Sequence, residues 1–302
     1  MSDEPTGLLV VDKPPGLTSH DVVAALRRAL GVRRVGHAGT LDPAATGVLL
    51  VGVGRATRLL RFLQGTDKDY EGTLELGTTT TTLDAAGEVT ATFDMAGVTD
   101  AEVERAAATL TGDLAQVPPM VSAVQIGGRR LHELAREGIE VDRAPRAVHV
   151  AAFSVSPLAA GEYRFEVTCS SGTYVRSLVD DLGRALGGGA HLATLRRTRV
   201  GGFSLADAGS LDALCADRAA GVASLRPMRA MVEHLGVVTV SDDDAASLVH
   251  GRRVETGARP ASEGDVAVCA EDGSLVCVAV RDVDGVLRPE VVVSPGATGG
   301  DG

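Results

Sequence analysis

Apolar and polar positions alternate in two distinct rhythms along this chain, and between them they predict a mixed α+β protein. Leu8 to Val11 is an unbroken apolar run and reads as a short strand. Asp12 to Ser19 holds two prolines and a glycine, which make a turn. Thr18 and Asp21 stand at capping-box spacing, with Asp in place of the usual Glu. Residues 20 to 30 then repeat at helical period, with Val22, Val23, Leu26 and Leu30 on one side and Gly31 as the stop. Val48 to Val53 is a second apolar run, read as a buried strand. Ala56 to Leu63 predicts a short helix and Thr73 to Leu76 a strand. Residues 78 to 84 read as a polar loop, and 99 to 110 as an amphipathic helix with an acidic start. Val148 to Val155 and Tyr163 to Cys169 alternate with period two and predict strands. Tyr174 to Leu186 returns to helical period, and His191 to Phe203 is a basic, strand-like stretch. Residues 206 to 235 read as helix plus linker. From Val237 onward, strands near 237–240, 266–270, 275–281 and 290–293 surround a helix at Asp243 to His250, which predicts a small β-rich domain. Residues 295 to 302 read as a disordered tail.

At 302 residues the chain has room for one large or two unequal domains. With no Trp and 3% aromatic residues, its core must be built from Leu, Val and Ala. No apolar run reaches membrane length and no leader is evident, so a cytoplasmic protein without a membrane partner is expected, acting as a monomer. Cys169, Cys215, Cys269 and Cys277 lack CxxC spacing and read as free thiols. The net charge of −11 argues against a nucleic-acid partner at first sight. Its distribution does not. Residues 1 to 62 carry eight Lys and Arg against five acids, and residues 164 to 199 carry six Arg against three acids. Arginine can grip phosphates bidentately and stack on bases.

The stretch that organises the chain is Gly36-His37-Ala38-Gly39-Thr40-Leu41-Asp42-Pro43-Ala44-Ala45-Thr46-Gly47. It reads as a glycine-flanked loop that holds one carboxylate just before a core strand. Taken alone, Asp42 is better explained as a turn former. Read as a contiguous motif, the stretch resembles the catalytic loop of the TruB family of tRNA pseudouridine synthases. Lys13-Pro14-x-Gly16-x-Thr18-Ser19, Ser171-Gly172-Thr173-Tyr174-x-Arg176 and His191-x-x-x-Leu195-Arg196-Arg197-Thr198 resemble further motifs of that family, in the family's order. The resemblance is strong over about residues 7 to 205 and moderate over 237 to 293.

The resemblance implies a pseudouridine synthase fold, a mixed, mainly antiparallel sheet with flanking helices, plus a small PUA-like domain. The expected division is 1–235 catalytic, with an RNA-binding insertion about 116–146, and 236–294 PUA-like. It implies isomerisation of uridine to pseudouridine at position 55 in the T-loop of tRNA, by base flipping and without a cofactor. Asp42 is the expected catalytic carboxylate, Tyr70 the stacking and proton-relaying residue, and Arg176 the cation that keeps Asp42 ionised. His37 is expected to fill the vacated base stack, while Tyr174 and Leu195 line the uridine pocket. Arg58, Arg129, Arg130, Arg136, Arg196 and Arg197 are the expected RNA contacts, with solvated edge charge the equal alternative for Arg196 and Arg197. Val121 stands where the family usually has an aromatic residue and Gln125 where it has Lys. Two other functions fit less well. A non-catalytic tRNA-binding protein would not need intact Asp42, Tyr70 and Arg176. A hydrolase with an aspartyl nucleophile would want a second acid or metal ligand near Asp42, and the local sequence has none.

Overall fold

The structure is a computed structural model that describes residues 4–122, 125–126, 128–130, 137, 139, 141–257 and 263–293. Its strands are β1 Gly7–Lys13, β2 Val35–Ala38, β3 Thr46–Val53, β4 Lys68–Leu76, β5 Thr78–Thr80, β6 Val89–Thr92, β7 Gly112–Gln116, β8 Gln125–Ile126, β9 Arg129–Arg130 and β10 Arg146–Ala159. They continue with β11 Glu162–Cys169, β12 Ala190–Val200, β13 Phe203–Ser204, β14 Gly209–Ser210, β15 Val237–Val240, β16 Val254–Glu255, β17 Gly264–Ala270, β18 Leu275–Arg281 and β19 Val286–Val292. Ten of them form one sheet with central order β14-β1-β3-β12-β4-β11-β10-β7, while β2 pairs with β3 and β13 with β12. Pairing is antiparallel except for β1 with β14 and β12 with β3. This is the expected mixed, mainly antiparallel α+β architecture with helices packed on it.

Local chemistry explains the elements that frame the site. The Ser19–Leu30 helix starts with the Thr18–Asp21 capping box and ends at Gly31 in the left-handed conformation, at φ 64°. Its buried stripe Val22, Val23, Leu26 and Leu30 joins the main core with Leu49, Val51 and Val53 of β3. The Val175–Ala185 helix buries Val175, Leu178, Val179 and Leu182 in the same core. The other face of β3, Val48 and Leu50, lies in a second core that includes Leu59, Phe62 and Met231. The far wall of that second core is Ala267, Cys269, Val278 and Val291 from the C-terminal sheet, whose order is β15-β17-β18-β19-β16. The β-rich C-terminal part is therefore a separate sheet that shares a hydrophobic core with β3. An ion pair between Arg61 and Glu290 (2.7 Å) and a hydrogen bond from Arg58 Nη1 to the Val292 carbonyl (2.6 Å) flank that junction.

Some expectations shift. Gly36, His37 and Ala38 belong to β2, which pairs with β3. The Thr-rich stretch expected to be loop begins with β5, paired to β6. The helix expected over 56–63 is a 3-10 turn Gly54–Leu59 followed by an α-helix Leu60–Gln64. Arg136, one of the expected RNA contacts, and the tail at 295–302 lie outside the described residues. Among the described residues no helix is long and apolar enough to cross a membrane.

Candidate active site

Asp42 sits on the turn between β2 and β3, and two buried cationic side chains, Lys13 and Arg197, hold that turn. Lys13 is fully buried and donates to the carbonyls of Pro14 (2.9 Å), Leu17 (2.7 Å) and Pro43 (3.1 Å). Burial pushes its pKa down to about 8, against the pull of Asp42. Ser19 Oγ accepts from the Leu41 amide (2.9 Å) and donates to the Leu41 carbonyl (3.2 Å). Arg197 is buried to 1% exposure and donates to the carbonyls of Val48 (2.7 Å), Gly39 (3.0 Å) and Thr40 (3.4 Å). Gly47, at φ 98°, has no room for a Cβ, which would stand 2.1 Å from the Arg197 carbonyl. Lys68 is buried and donates to Gln64 (3.2 Å) and Thr66 (2.7 Å) carbonyls at the end of the Leu60–Gln64 helix.

Arg176 stands over Asp42 on the second turn-facing element. It lies at the start of the Val175–Ala185 helix and is 5% exposed, although its sequence position falls off that helix's apolar stripe. Its Nε is 3.1 Å from Asp42 Oδ2. Nη1 donates to the Thr82 carbonyl (2.9 Å) and lies 3.6 Å from Asp84 Oδ2, and Nη2 donates to the Val121 carbonyl (2.8 Å). All three guanidinium nitrogens are thus engaged, which fixes the group's orientation. The Val121 contact uses only the backbone, so losing the family's aromatic side chain there leaves it intact.

The loop that supplies Thr82 and Asp84 is stiff. Asp84 Oδ1 accepts from Thr82 Oγ1 (2.5 Å) and from the Ala86 amide (3.1 Å), while Thr80 Oγ1 donates to the Asp84 carbonyl (2.7 Å). Leu83 between them has φ 61°, the one positive φ of a non-glycine residue among those described. Such a conformation is uncommon for an L residue, so the surrounding bonds must hold it. Sequence reasoning gave Asp84 no part in the site; an acid two residues after a threonine run gives only an Asx-turn signal.

Two concavities meet at Asp42. One, of about 380 Å³, is lined by His37, Asp42, Lys68, Tyr70, Tyr174, Arg176 and Leu195 among others. The larger, of about 840 Å³, runs along the sheet past Asp42, Asp84, Leu195 and Arg196. Tyr70 projects from β4 and is buried, which raises its phenol pKa; Arg197 pulls the other way. It therefore remains protonated at neutral pH. Tyr174 is positioned through its backbone: Gln116, itself buried, accepts from the Tyr174 amide (2.7 Å) and donates to its carbonyl (3.1 Å). Gln116 is a second residue whose part in the site the sequence did not signal. The His37 ring packs edge-on against His20, with centroids 5.2 Å apart, and its Nδ1 is buried without a partner. Burial, together with His20 and Arg197, lowers its pKa to about 4, so it is neutral at neutral pH.

For Asp42, crowding by protein raises the carboxyl pKa. Arg176 and Lys13 pull it down, and Asp84 pushes it up. Arg176 acts in the expected direction, beside Lys13 and against burial and Asp84. A rate that needs the Asp42 carboxylate should fall on acidification from a higher pH than an ordinary aspartate would give. Asp84→Asn removes a negative neighbour and should move that acidic limb to lower pH, read from normalised single-turnover rates. A limb that stays in place would show that Asp84 does not tune Asp42.

The expected RNA contacts divide. Arg197 is a buried side chain engaged with three backbone carbonyls. Arg196 pairs with Asp12 (2.8 Å) and reaches Thr46 Oγ1 (3.3 Å). Neighbouring Arg199 makes a two-bond contact with Asp69 (2.5 and 2.8 Å). Arg129 pairs with Glu137 (2.5 Å), and Arg130 shares strand β9, where only its backbone is described.

Comparison with known proteins agrees with this geometry. The TruB family pseudouridylate synthase N-terminal domain matches residues 27–175. The tRNA pseudouridylate synthase B C-terminal domain matches 176–235, and the pseudouridine synthase II TruB C-terminal domain matches 236–293. A tRNA pseudouridine synthase B of Arthrobacter sp. (strain FB24) is 43% identical, over 96% of this chain and 97% of its own length. The chain belongs to the TruB family. It is a pseudouridine synthase, which converts uridine to pseudouridine. Another TruB relative, from Rhodococcus jostii (strain RHA1), is 50% identical over 82% of each chain. Among solved structures, an H/ACA RNP bound to a substrate RNA containing 2′-deoxyuridine superposes with TM-score 0.76 at 25% identity. It covers 97% of this chain and 86% of its own. A Cbf5-Nop10-Gar1 complex gives TM-score 0.75 at 28% identity, over 96% and 86%.

Proposed function

We propose that this TruB enzyme isomerises the uridine at position 55 in the T-loop of tRNA, with Asp42 as the essential carboxylate. The observation that carries the reading is the Asp42–Arg176 contact of 3.1 Å at the mouth of a pocket lined by Tyr70, Tyr174 and Leu195. The curated relatives named tRNA pseudouridine synthase B support tRNA as the substrate. A base inside a stack cannot reach a carboxylate set in such a recess, so the target nucleotide must be flipped out, at a cost of a few kcal/mol. His37, on the same pocket wall, takes the position the base leaves. The 116–146 insertion acts as the RNA-embracing element and the PUA-like sheet as an aid to RNA placement.

In this mechanism Asp42 acts at the sugar–base junction as nucleophile or base while the base detaches from C1′, turns and rejoins through C5. Arg176 holds the carboxylate's direction and favours its charged form. Tyr70, protonated and buried, stacks on the base and relays the C5 proton. Tyr70→Phe keeps the ring and removes the hydroxyl. It should bind RNA nearly as wild type and lose ~10²–10⁴-fold in single-turnover rate. A wild-type rate in that variant would remove the hydroxyl from the mechanism. The overall reading is tested by incubating the protein with unmodified tRNA transcript, without added metal, and mapping pseudouridine. Product at position 55 is expected; product elsewhere or none would overturn the site assignment.

A further inference from the structure

The structure assigns a second RNA contact to the edge formed by Arg33, Arg34 and Arg55, a phosphate-binding track outside the catalytic pocket. The assignment rests on the RNA-modifying function proposed above and extends it to the RNA backbone beyond the reacting nucleotide.

Residues 31 to 62 contain five arginines and a single acid, Asp42, in a chain whose net charge is −11. Beside the site, Arg176, Arg196, Arg197 and Arg199 are engaged within the protein, while Arg164 on the wall of the larger concavity is exposed. Arg33 and Arg34 are exposed and Arg55 half-buried, and none of the three makes a side-chain hydrogen bond or ion pair with a described residue. Their backbone is rigid and adjacent. The Gly54 amide donates to the Arg34 carbonyl (2.7 Å), and Val35 pairs with Val53 across β2 and β3. Arg34 and Arg55 thus stand on either side of one backbone hydrogen bond.

Direction comes from the same elements. Arg34 precedes β2, and three residues further along that strand is His37 on the pocket wall, roughly 10 Å away at strand rise. Arg55 and Arg58 lie in the 3-10 turn Gly54–Leu59, where side chains three apart eclipse. Arg58 points at the C-terminal sheet, to the Val292 carbonyl. The free arginines therefore bridge the pocket and the C-terminal sheet along one edge. Glu4 adjoins the segment packed against Gly54 and forms no ion pair with them. Unpaired guanidinium groups on a fixed backbone, on a protein that otherwise repels polyanions, fit the phosphodiester backbone of a stem next to the flipped nucleotide.

The test is a binding titration of full-length tRNA against salt. The triple variant Arg33→Gln, Arg34→Gln, Arg55→Gln is compared with wild type and with Arg105→Gln, Arg184→Gln, Arg218→Gln, which removes the same charge from exposed sites outside the insertion and the PUA-like sheet. Each lost phosphate contact should flatten the log–log salt slope by ~0.7–0.9 and weaken binding roughly fivefold or more at 0.1 M salt. A loss confined to the first variant supports the track. Equal losses in both variants, or none in the first, overturn it. Wild-type pseudouridine formation is measured separately on the same tRNA. If it fails while the first variant alone loses RNA affinity, the proposed reaction falls and the track stands.

Discussion

Asp42→Asn protein binds tRNA and forms no detectable pseudouridine: that is the expected result for the reading offered here. Asn keeps the size of Asp and much of its hydrogen bonding but has neither charge nor nucleophilic oxygen. Were Asp42 a turn former, Asn would replace it well and activity would persist. The geometry already separates the two roles. The turn closes through the backbone, with the Ala45 amide donating to the Asp42 carbonyl (3.1 Å). The side-chain carboxylate meets Arg176 instead. The variant leaves Arg176 buried with two backbone carbonyls and Asp84 as remaining partners, so folding should survive with a modest loss of stability. Pseudouridine yield under enzyme excess, beside a binding titration and a thermal melt, checks this. Substantial product from a folded, binding variant would sink the role of Asp42.

Arg197→Met should be the most destabilising single change near the site, and it should act on folding, not on RNA contact. The side chain satisfies the Val48, Gly39 and Thr40 carbonyls from within the core. Each buried acceptor left unpaired costs ~1–3 kcal/mol, against a total stability of ~5–15 kcal/mol for a folded protein. Urea unfolding should show a midpoint far below wild type, or no folded protein at all. Arg197→Lys should fall between, because a single ammonium cannot spread over three carbonyls as a planar guanidinium does. A folded Arg197→Lys protein should keep the wild-type salt dependence of RNA binding; a flattened slope would return Arg197 to the phosphate contacts. Near-wild-type stability of Arg197→Met would refute the structural role.

What could be read from the sequence, and what could not, divides along a physical line. Periodicity located the main helices and strands because burial on one face repeats at 3.6 or 2 residues, as in Ser19–Leu30 and Glu162–Cys169. Short strands such as Val35–Ala38 and Gly112–Gln116 lack enough residues to show a period, and cross-strand pairing decides them. The contiguous motif around Asp42, with Arg176 far downstream, marked the pair that the fold brings to 3.1 Å. Asp84 and Gln116 were invisible because each acts through contacts distant in sequence. The six arginines of residues 164–199 show the limit of counting charge. A guanidinium turned inward, as in Arg176 and Arg197, looks the same in a sequence as one facing solvent.

The shared core behind β3 has a consequence for synthesis on the ribosome. The strand that carries the Asp42 turn has one face closed by the Ser19–Leu30 helix, made early, and the other by Val278 and Val291, made almost last. Its neighbour β12 and the edge strand β14 also come from the later part of the chain. Val48, Leu50 and Leu59 must therefore wait, partly uncovered, through most of translation. A ribosome that stalls shortly before residue 278 holds a nascent chain with every motif residue of the active site already synthesised and the supporting strand still open on one side. Such chains are candidates for chaperone capture.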